Sequence, residues 1–134
     1  MIKDFMEKVK GVVFLFVGLL LLAGAATATV SIARFVRGSV VADGRVARLN
    51  AGGSHPEIAF VTRTGVPVSY PQGGLIWGYA VGDQVRVRYD EANPAGSASI
   101  DRFGALYAMP LLLAFIGGGL AVLGAVQWLS SRKG

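Results

Sequence analysis

The sequence predicts a membrane protein in which two transmembrane α-helices flank a small antiparallel β domain of four or five strands, barrel- or sandwich-like. Three observations predict it. Two long stretches carry no charged side chain, the hydrophobic period between them changes from helical to alternating, and turn residues recur at short intervals through the middle. The implied organisation is an N-terminal tail (1–10), a first span (11–33), a β-rich domain (34–102), a second span (103–129) and a C-terminal tail (130–134).

The first span runs from Gly11 to Ala33 as GVVFLFVGLLLLAGAATATVSIA. At about 1.5 Å per residue this is about 34 Å of helix, enough for a hydrocarbon core of about 30 Å. Lys3, Lys8 and Lys10 before it, and Ala26-Thr27-Ala28 within it, imitate a secretory signal and its cleavage site. The apolar run nevertheless continues through Val30 and Ile32, and it exceeds the roughly 7–15 residues of an ordinary signal core, so it reads as a retained span. The second span starts at Phe103 and meets no charge before Arg132. Neither span contains the intramembrane charge that marks a proton relay or an ion pathway. Gly24-xxx-Ala28 in the first and Gly117-xxx-Ala121-xxx-Ala125 in the second are ridges of small residues that permit close helix contact, within one chain or in a homo-oligomer.

The segment between the spans begins with Arg34-Phe35-Val36-Arg37, whose arginines are placed to reach lipid phosphates. Val40-Val41 and Val46 to Leu49 read as a first strand interrupted at Asp43-Gly44 by a bulge. Ala51-Gly52-Gly53-Ser54 reads as a flexible connection. Ile58, Phe60 and Thr62 alternate with Ala59, Val61 and Arg63, and Val66, Val68 and Tyr70 with Pro67 and Ser69, with Thr64-Gly65 as a hairpin turn between them. Gly82-Asp83 is a turn before the alternating Val85, Val87 and Tyr89. Ala92 to Gly96 is a further turn cluster, and Ser97 to Ile100 a last short strand. Connections this short favour pairing between strands adjacent in sequence.

Overall charge is modest, formally +5, and only 16% of residues are charged against about 25% in an average soluble domain. No segment is basic enough for nucleic acid. The absence of cysteine removes disulfides, thiolate metal sites and cysteine nucleophiles. The positive charges near the spans almost balance between the two ends and the middle. The middle segment is long enough to translocate largely regardless of charge, which favours cytoplasmic termini and an extracytoplasmic β domain.

The order of features resembles the bacterial domain-of-unknown-function family numbered 3592. The resemblance is carried by His55-Pro56-Glu57-Ile58-Ala59-Phe60, by Thr64-Gly65-Val66-Pro67-Val68, and most specifically by Gly82-Asp83-Gln84-Val85-Arg86-Val87-Arg88-Tyr89-Asp90 followed by Asn93-Pro94. It spans about Arg34 to Leu129. The chain departs from the pattern at Glu91, where that family often has proline, and at His55, where it usually has an aromatic. The resemblance implies two spans around a small β domain in a bacterial inner membrane. It implies no catalytic residues, because that family has no assigned activity.

The candidate contact residues are Leu75, Ile76, Trp77, Tyr79, Arg86 and Arg88. The first four form an aromatic-rich apolar loop among glycines, outside the alternating pattern, and fit either a lipid interface, a protein partner or a plug for a small β core. Arg86 and Arg88 share one strand face and fit lipid phosphate, an acidic partner or pairing with acids of the same domain. His55 is the sole histidine and lies in a predicted loop, and the acids Asp83, Asp90 and Asp101 read as turn, strand-stop and helix-cap residues. No catalytic, cofactor or metal residues are expected. The function expected is a non-catalytic binding or assembly module that contacts membrane lipids and another membrane or envelope protein. Protection against a membrane-acting or envelope toxin is one form of such binding. The alternative is a membrane-bound enzyme or an accessory subunit of one, with His55, Asp83, Asp90 and Asp101 converging in the β domain.

Overall fold

The computed structural model describes residues 1–50 and 55–133, and the predicted connection at 51–54 lies outside them. The chain divides into two compact units, Met1–Val30 with Pro110–Gly134 and Ser31–Met109. In sequence, two long apolar helices, α1 (Ile2–Gly38) and α3 (Phe103–Arg132), flank a five-stranded antiparallel sheet. Both are long and apolar enough to cross a membrane.

The first unit is an antiparallel pair of helices that meet backbone to backbone. The buried positions recur every seven residues, as Gly11, Gly18 and Ala25 in α1 and as Pro110, Gly117 and Gly124 in α3. A seven-residue repeat keeps one side of each helix turned to the other along its length. A Cβ on Gly18 would lie 2.4 Å from the Ala121 nitrogen, and one on Gly124 would lie 2.4 Å from the Leu15 nitrogen, so only glycine allows this approach. The expected ridge is thus used in α3, where Gly117 and Ala121 meet α1. In α1 the contact falls on Gly11 and Gly18, and a Cβ on Gly24 would meet nothing within 4 Å. Gln127 Nε2 donates a short hydrogen bond to the Glu7 carboxylate, tying the two chain ends of the pair together.

The second unit holds strands β1 (Val40–Asn50), β2 (His55–Val61), β3 (Pro67–Pro71), β4 (Gln84–Tyr89) and β5 (Ser99–Ile100), in the order β3-β2-β1-β4-β5. β1 to β3 pair in sequence order, as expected. β4 does not join β3. The connection from Gln72 to Asp83 carries it to the free edge of β1, which gives the Greek-key order 4-1-2-3. β1 is unbroken through Asp43-Gly44, because Gly44 is paired on both sides, with Phe60 and with Val85. The register shift expected there lies instead between Val46 and Arg48. The turn expected at Ala92–Gly96 runs into a single helical turn, α2 (Pro94–Ser97), with the Asn93 side chain accepting from Gly96 N at its start, so the strand expected over Ser97 to Ile100 is confined to Ser99–Ile100.

Alternation puts Val46, Ile58, Phe60, Tyr70, Val87, Tyr89 and Ile100 on one face, where they form the core with Ile76. Tyr89 reaches through it, and its hydroxyl accepts the backbone N–H of Arg63 at 2.8 Å. The edge strands β3 and β5 are joined by one side chain in place of a ladder. Buried Gln72, just after β3, accepts the Ile100 N–H at 2.8 Å and the Tyr70 hydroxyl at 2.8 Å through Oε1, and its Nε2 donates to the Gly73 carbonyl. The sheet is therefore a half-barrel with its open seam tied by a glutamine.

Candidate binding surface

The β3–β4 connection is shaped by glycines. Gly74, Gly78 and Gly82 all have φ between 85° and 92°, the left-handed region that other residues avoid. At Gly74 a second constraint applies, since a Cβ there would lie 3.0 Å from Ala105 Cα in the first turn of α3. A Cβ on Gly104 would in turn lie 2.8 Å from the Leu75 carbonyl. The loop and the start of α3 are thus pressed together by two glycines, one on each side.

This geometry divides the apolar loop. Ile76 is buried and belongs to the core, while Leu75 and Trp77 are 54% and 79% exposed. A cleft of about 180 Å³ lies between the loop and Arg102 and Gly104. The sequence offered plug and contact as alternatives for the whole loop, and the structure assigns the plug to one residue. Tyr79 is half-buried against the core; its ring lies under the Arg102 guanidinium, 5.6 Å from the centroid, and its hydroxyl accepts from Arg102 Nη1 at 2.8 Å. Asp83 closes the last turn, with Oδ2 accepting Ala80 N at 2.8 Å, as its turn chemistry implies.

The two strand arginines lie on the same sheet face, opposite the core, but in different surroundings. Arg88 is partly buried and committed within the fold. It donates to Asp101 Oδ1 at 2.7 Å, to Ser39 Oγ at 3.2 Å and to the Val36 carbonyl at 3.3 Å. It thereby clasps the end of α1 to the residues that precede α3. Asp101 was expected to cap α3; its carboxylate is drawn to Arg88 instead, and Arg102 supplies the carbonyl that starts the helix. Arg86 remains exposed beside its cross-strand neighbour Asp43. Around Asp43 the outer face of the sheet holds an open depression of about 640 Å³, lined by Arg45, Ala59, Val61, Ser69 and Gln84 among others. Sequence reasoning missed Asp43 and Arg45 as surface candidates. The only signal is that they share a face with Arg86, and that requires the register of β1 against β4.

The buried polar groups serve the fold. Burial, and then the neighbouring Tyr79, push the Tyr70 phenol above its ordinary range, so it stays protonated and donates to Gln72. His55 is the first residue of β2, not a loop residue, and its Nδ1 lies 3.3 Å from the Gln72 carbonyl. The acids expected near it under an enzyme reading are dispersed. Asp83 and Asp90 bracket the extended strand β4 at a separation of roughly 23 Å. Asp101 is occupied by Arg88. Among the described residues no group of three His, Cys, Asp or Glu side chains is placed to hold a metal ion. Among the described residues the arrangement offers surfaces for contact, and His55, Asp83 and Asp101 each bond to a different part of the fold.

These features define a class: a two-helix protein whose small half-barrel presents an apolar loop and a charged outer face. The chain is 44% identical over 120 residues to the Immune protein Tsi4 of Pseudomonas aeruginosa, an alignment covering 90% of this chain and 83% of that protein. The chain belongs to the family of Immune protein Tsi4. No protein-family model matches it, and no solved structure matches it.

Proposed function

We propose that this protein is a non-catalytic immunity protein of a bacterial inner membrane, which protects its cell by binding a toxin protein. The observation that carries the reading is the 44% identity to an immune protein across 90% of the chain. The dispersal of His55, Asp83, Asp90 and Asp101 supports binding over catalysis. In this reading α1 and α3 span the membrane, the termini are cytoplasmic, and the half-barrel faces the other side. The outward Phe16, Leu20, Phe115 and Leu123 of the helices support insertion, because they are exposed while the glycines between the helices are buried. The resemblance of the sequence to the domain-of-unknown-function family numbered 3592 implies the same placement. A protein held at the bilayer meets toxins that act on or cross that bilayer.

Deletion of the gene from its own strain, followed by co-culture with the parent under conditions in which the parent inhibits unrelated competitors, tests the reading. The deletion strain is expected to be killed and to be rescued by the gene supplied in trans. Equal survival of deletion and rescued strains would remove the immunity reading. Topology is tested separately in this cysteine-free chain with single cysteines at Thr64 and Ser130 and an impermeant maleimide. Labelling of intact spheroplasts at 64 and not at 130 is expected, and the reverse pattern would invert the orientation.

A further inference from the structure

We infer that Leu75 and Trp77 form a third attachment to the bilayer, seated in the lipid headgroup region beside the start of α3. The inference rests on the membrane reading above and adds a surface to it.

Position is the first argument. The loop backbone is held against the first turn of α3 by the Gly74–Ala105 and Leu75–Gly104 approaches. From Phe103 to Ser131 that helix carries no charged side chain, so the water–lipid boundary falls where the loop sits. Exposure is the second. Leu75, Trp77 and Phe103 all leave the fold uncovered, although the adjacent Ile76 is buried. A loop that turns its central residue inward and the residues on either side outward presents apolar area that water disfavours and a headgroup layer accepts.

Composition is the third argument, because it identifies the occupant. Tryptophan and tyrosine are enriched where an apolar body meets a polar layer. Trp77 and Tyr79 lie on this loop, and Arg102 packs over Tyr79. Arg34 and Arg37 are exposed on the last turns of α1. Arg88 bonds both the Val36 carbonyl and Asp101, so the end of α1 lies beside the residues that precede α3. An exposed arginine beside an apolar aromatic tip, with two more on the last turns of a helix proposed to leave the same bilayer, matches lipid phosphates above acyl chains. An acidic or apolar protein surface would use part of this set, whereas a bilayer uses all of it.

The chain has two tryptophans, Trp77 and Trp128, which makes the test internally controlled. The full-length protein is reconstituted into vesicles of phosphatidylethanolamine and phosphatidylglycerol carrying bromine either near the headgroup end or near the terminal methyl of the acyl chains. Emission is recorded for the W77F and W128F variants, and for the unaltered protein so that Trp77 can be obtained by difference if W128F does not fold. Trp77 is expected to shift to the blue and to be quenched more by the shallow bromine than by the deep one. Quenching of Trp128 without quenching of Trp77 would overturn the inference and leave the membrane reading standing. Loss of immunity in W77A with no lipid quenching of Trp77 would likewise overturn it and make the loop a toxin contact. Quenching of neither tryptophan would remove the membrane reading and this inference with it.

Discussion

The two units of this protein are held together by opposite means. In the helix pair the contact is made by what is absent: Gly11, Gly18, Gly117 and Gly124 have no side chain, and the backbones touch. In the half-barrel the contact is made by bulk, with Tyr89, Ile58, Ile100, Val46 and Val87 fully buried. The difference is the one expected of a helix pair in the proposed bilayer and a sheet in water. The sheet has a polar outer face, so burying large apolar groups on the inner face gains free energy from water. The helix pair turns its large apolar side chains outward. In the bilayer proposed above, burying a leucine between two helices would gain little, because lipid tails are as apolar as leucine, and close packing of small residues takes its place. The two kinds of interior should therefore fail to different substitutions.

The largest expected effect is on the helix pair. Gly18→Leu would drive a side chain into the backbone of Ala121 and Gly117, neither of which can yield by a rotamer change. The disturbance should exceed the about 1–3 kcal/mol typical of overpacking and part the helices. Gly24→Leu, on the same helix with open space around it, should stay within about 0.5 kcal/mol of the parent. Thermal unfolding in mild detergent distinguishes them, and equal melting temperatures would end the claim that glycine contact holds the pair.

In the half-barrel the sensitive changes are large to small. Ile76→Ala removes the loop residue that is buried in the core, and should destabilise the sheet by about 2–3 kcal/mol, near the low end for a truncated core side chain. The loss is read from the melting of the strand signal in circular dichroism. An unaffected transition would show that the loop is not part of the core.

How much of this contrast is visible in the sequence depends on the distance over which each feature is determined. The charge-free runs and the alternation of Ile58 to Thr62 and Val85 to Tyr89 are local, and local patterns give helices and strands. The misplaced bulge is a local signal that lost. Asp43-Gly44 has turn chemistry, but pairing with β2 and β4 on both sides keeps it extended. The α1 contact surface escaped a search for small residues four apart because it repeats every seven. Asp101 precedes a helix and so looks like a cap; its partner Arg88 lies on the neighbouring strand and is brought to it only by the fold. Gln72 carries no sequence signal, because its function depends on β3 and β5 meeting at the seam.

That seam is where the half-barrel should prove least tolerant of a polar-to-apolar change. Gln72→Leu keeps the volume and leaves the Ile100 N–H and the Tyr70 hydroxyl without their acceptor, at an expected cost of about 2 kcal/mol. Hydrogen exchange at Ile100 should rise in this variant before exchange in β1 does. Uniform acceleration across the sheet would mean that Gln72 supports the whole core and does not specifically tie the edges.

The same seam gives the half-barrel an alkaline limit. Tyr70 is held protonated by burial, so its folded pKa lies above that of the unfolded chain. Below about pH 10 both states bind the proton, so this group's contribution to stability is fully present and does not vary with pH. Above about pH 10 the unfolded chain releases the proton first, so stability falls as pH rises towards the folded pKa. Tyr70→Phe should remove that part of the alkaline slope while lowering stability slightly at neutral pH through the lost hydrogen bond. Denaturant titrations of both proteins at neutral and alkaline pH measure it, and parallel slopes would show that Tyr70 does not control the transition.

The smallest expected effect on stability falls on the residue that looks most like a core anchor in the sequence. Trp77 is the largest side chain in the loop, and a truncated core tryptophan costs about 3–5 kcal/mol. Here the side chain stands almost wholly outside the fold, next to an isoleucine that takes the buried position. Trp77→Ser should therefore leave the melting temperature of the detergent-solubilised protein within the effect of about 0.5 kcal/mol expected for a surface site. Its consequence should appear only when a bilayer is present, because an exposed aromatic does its work against the neighbour it was left open to meet. Ile76→Ala and Trp77→Ser form a matched pair on adjacent positions, one altering folding in any solvent and the other altering attachment alone. If Trp77→Ser lowers stability in detergent as much as Ile76→Ala does, the division of the loop into an inward plug and outward contacts is wrong. The loop must then be treated as a single core element.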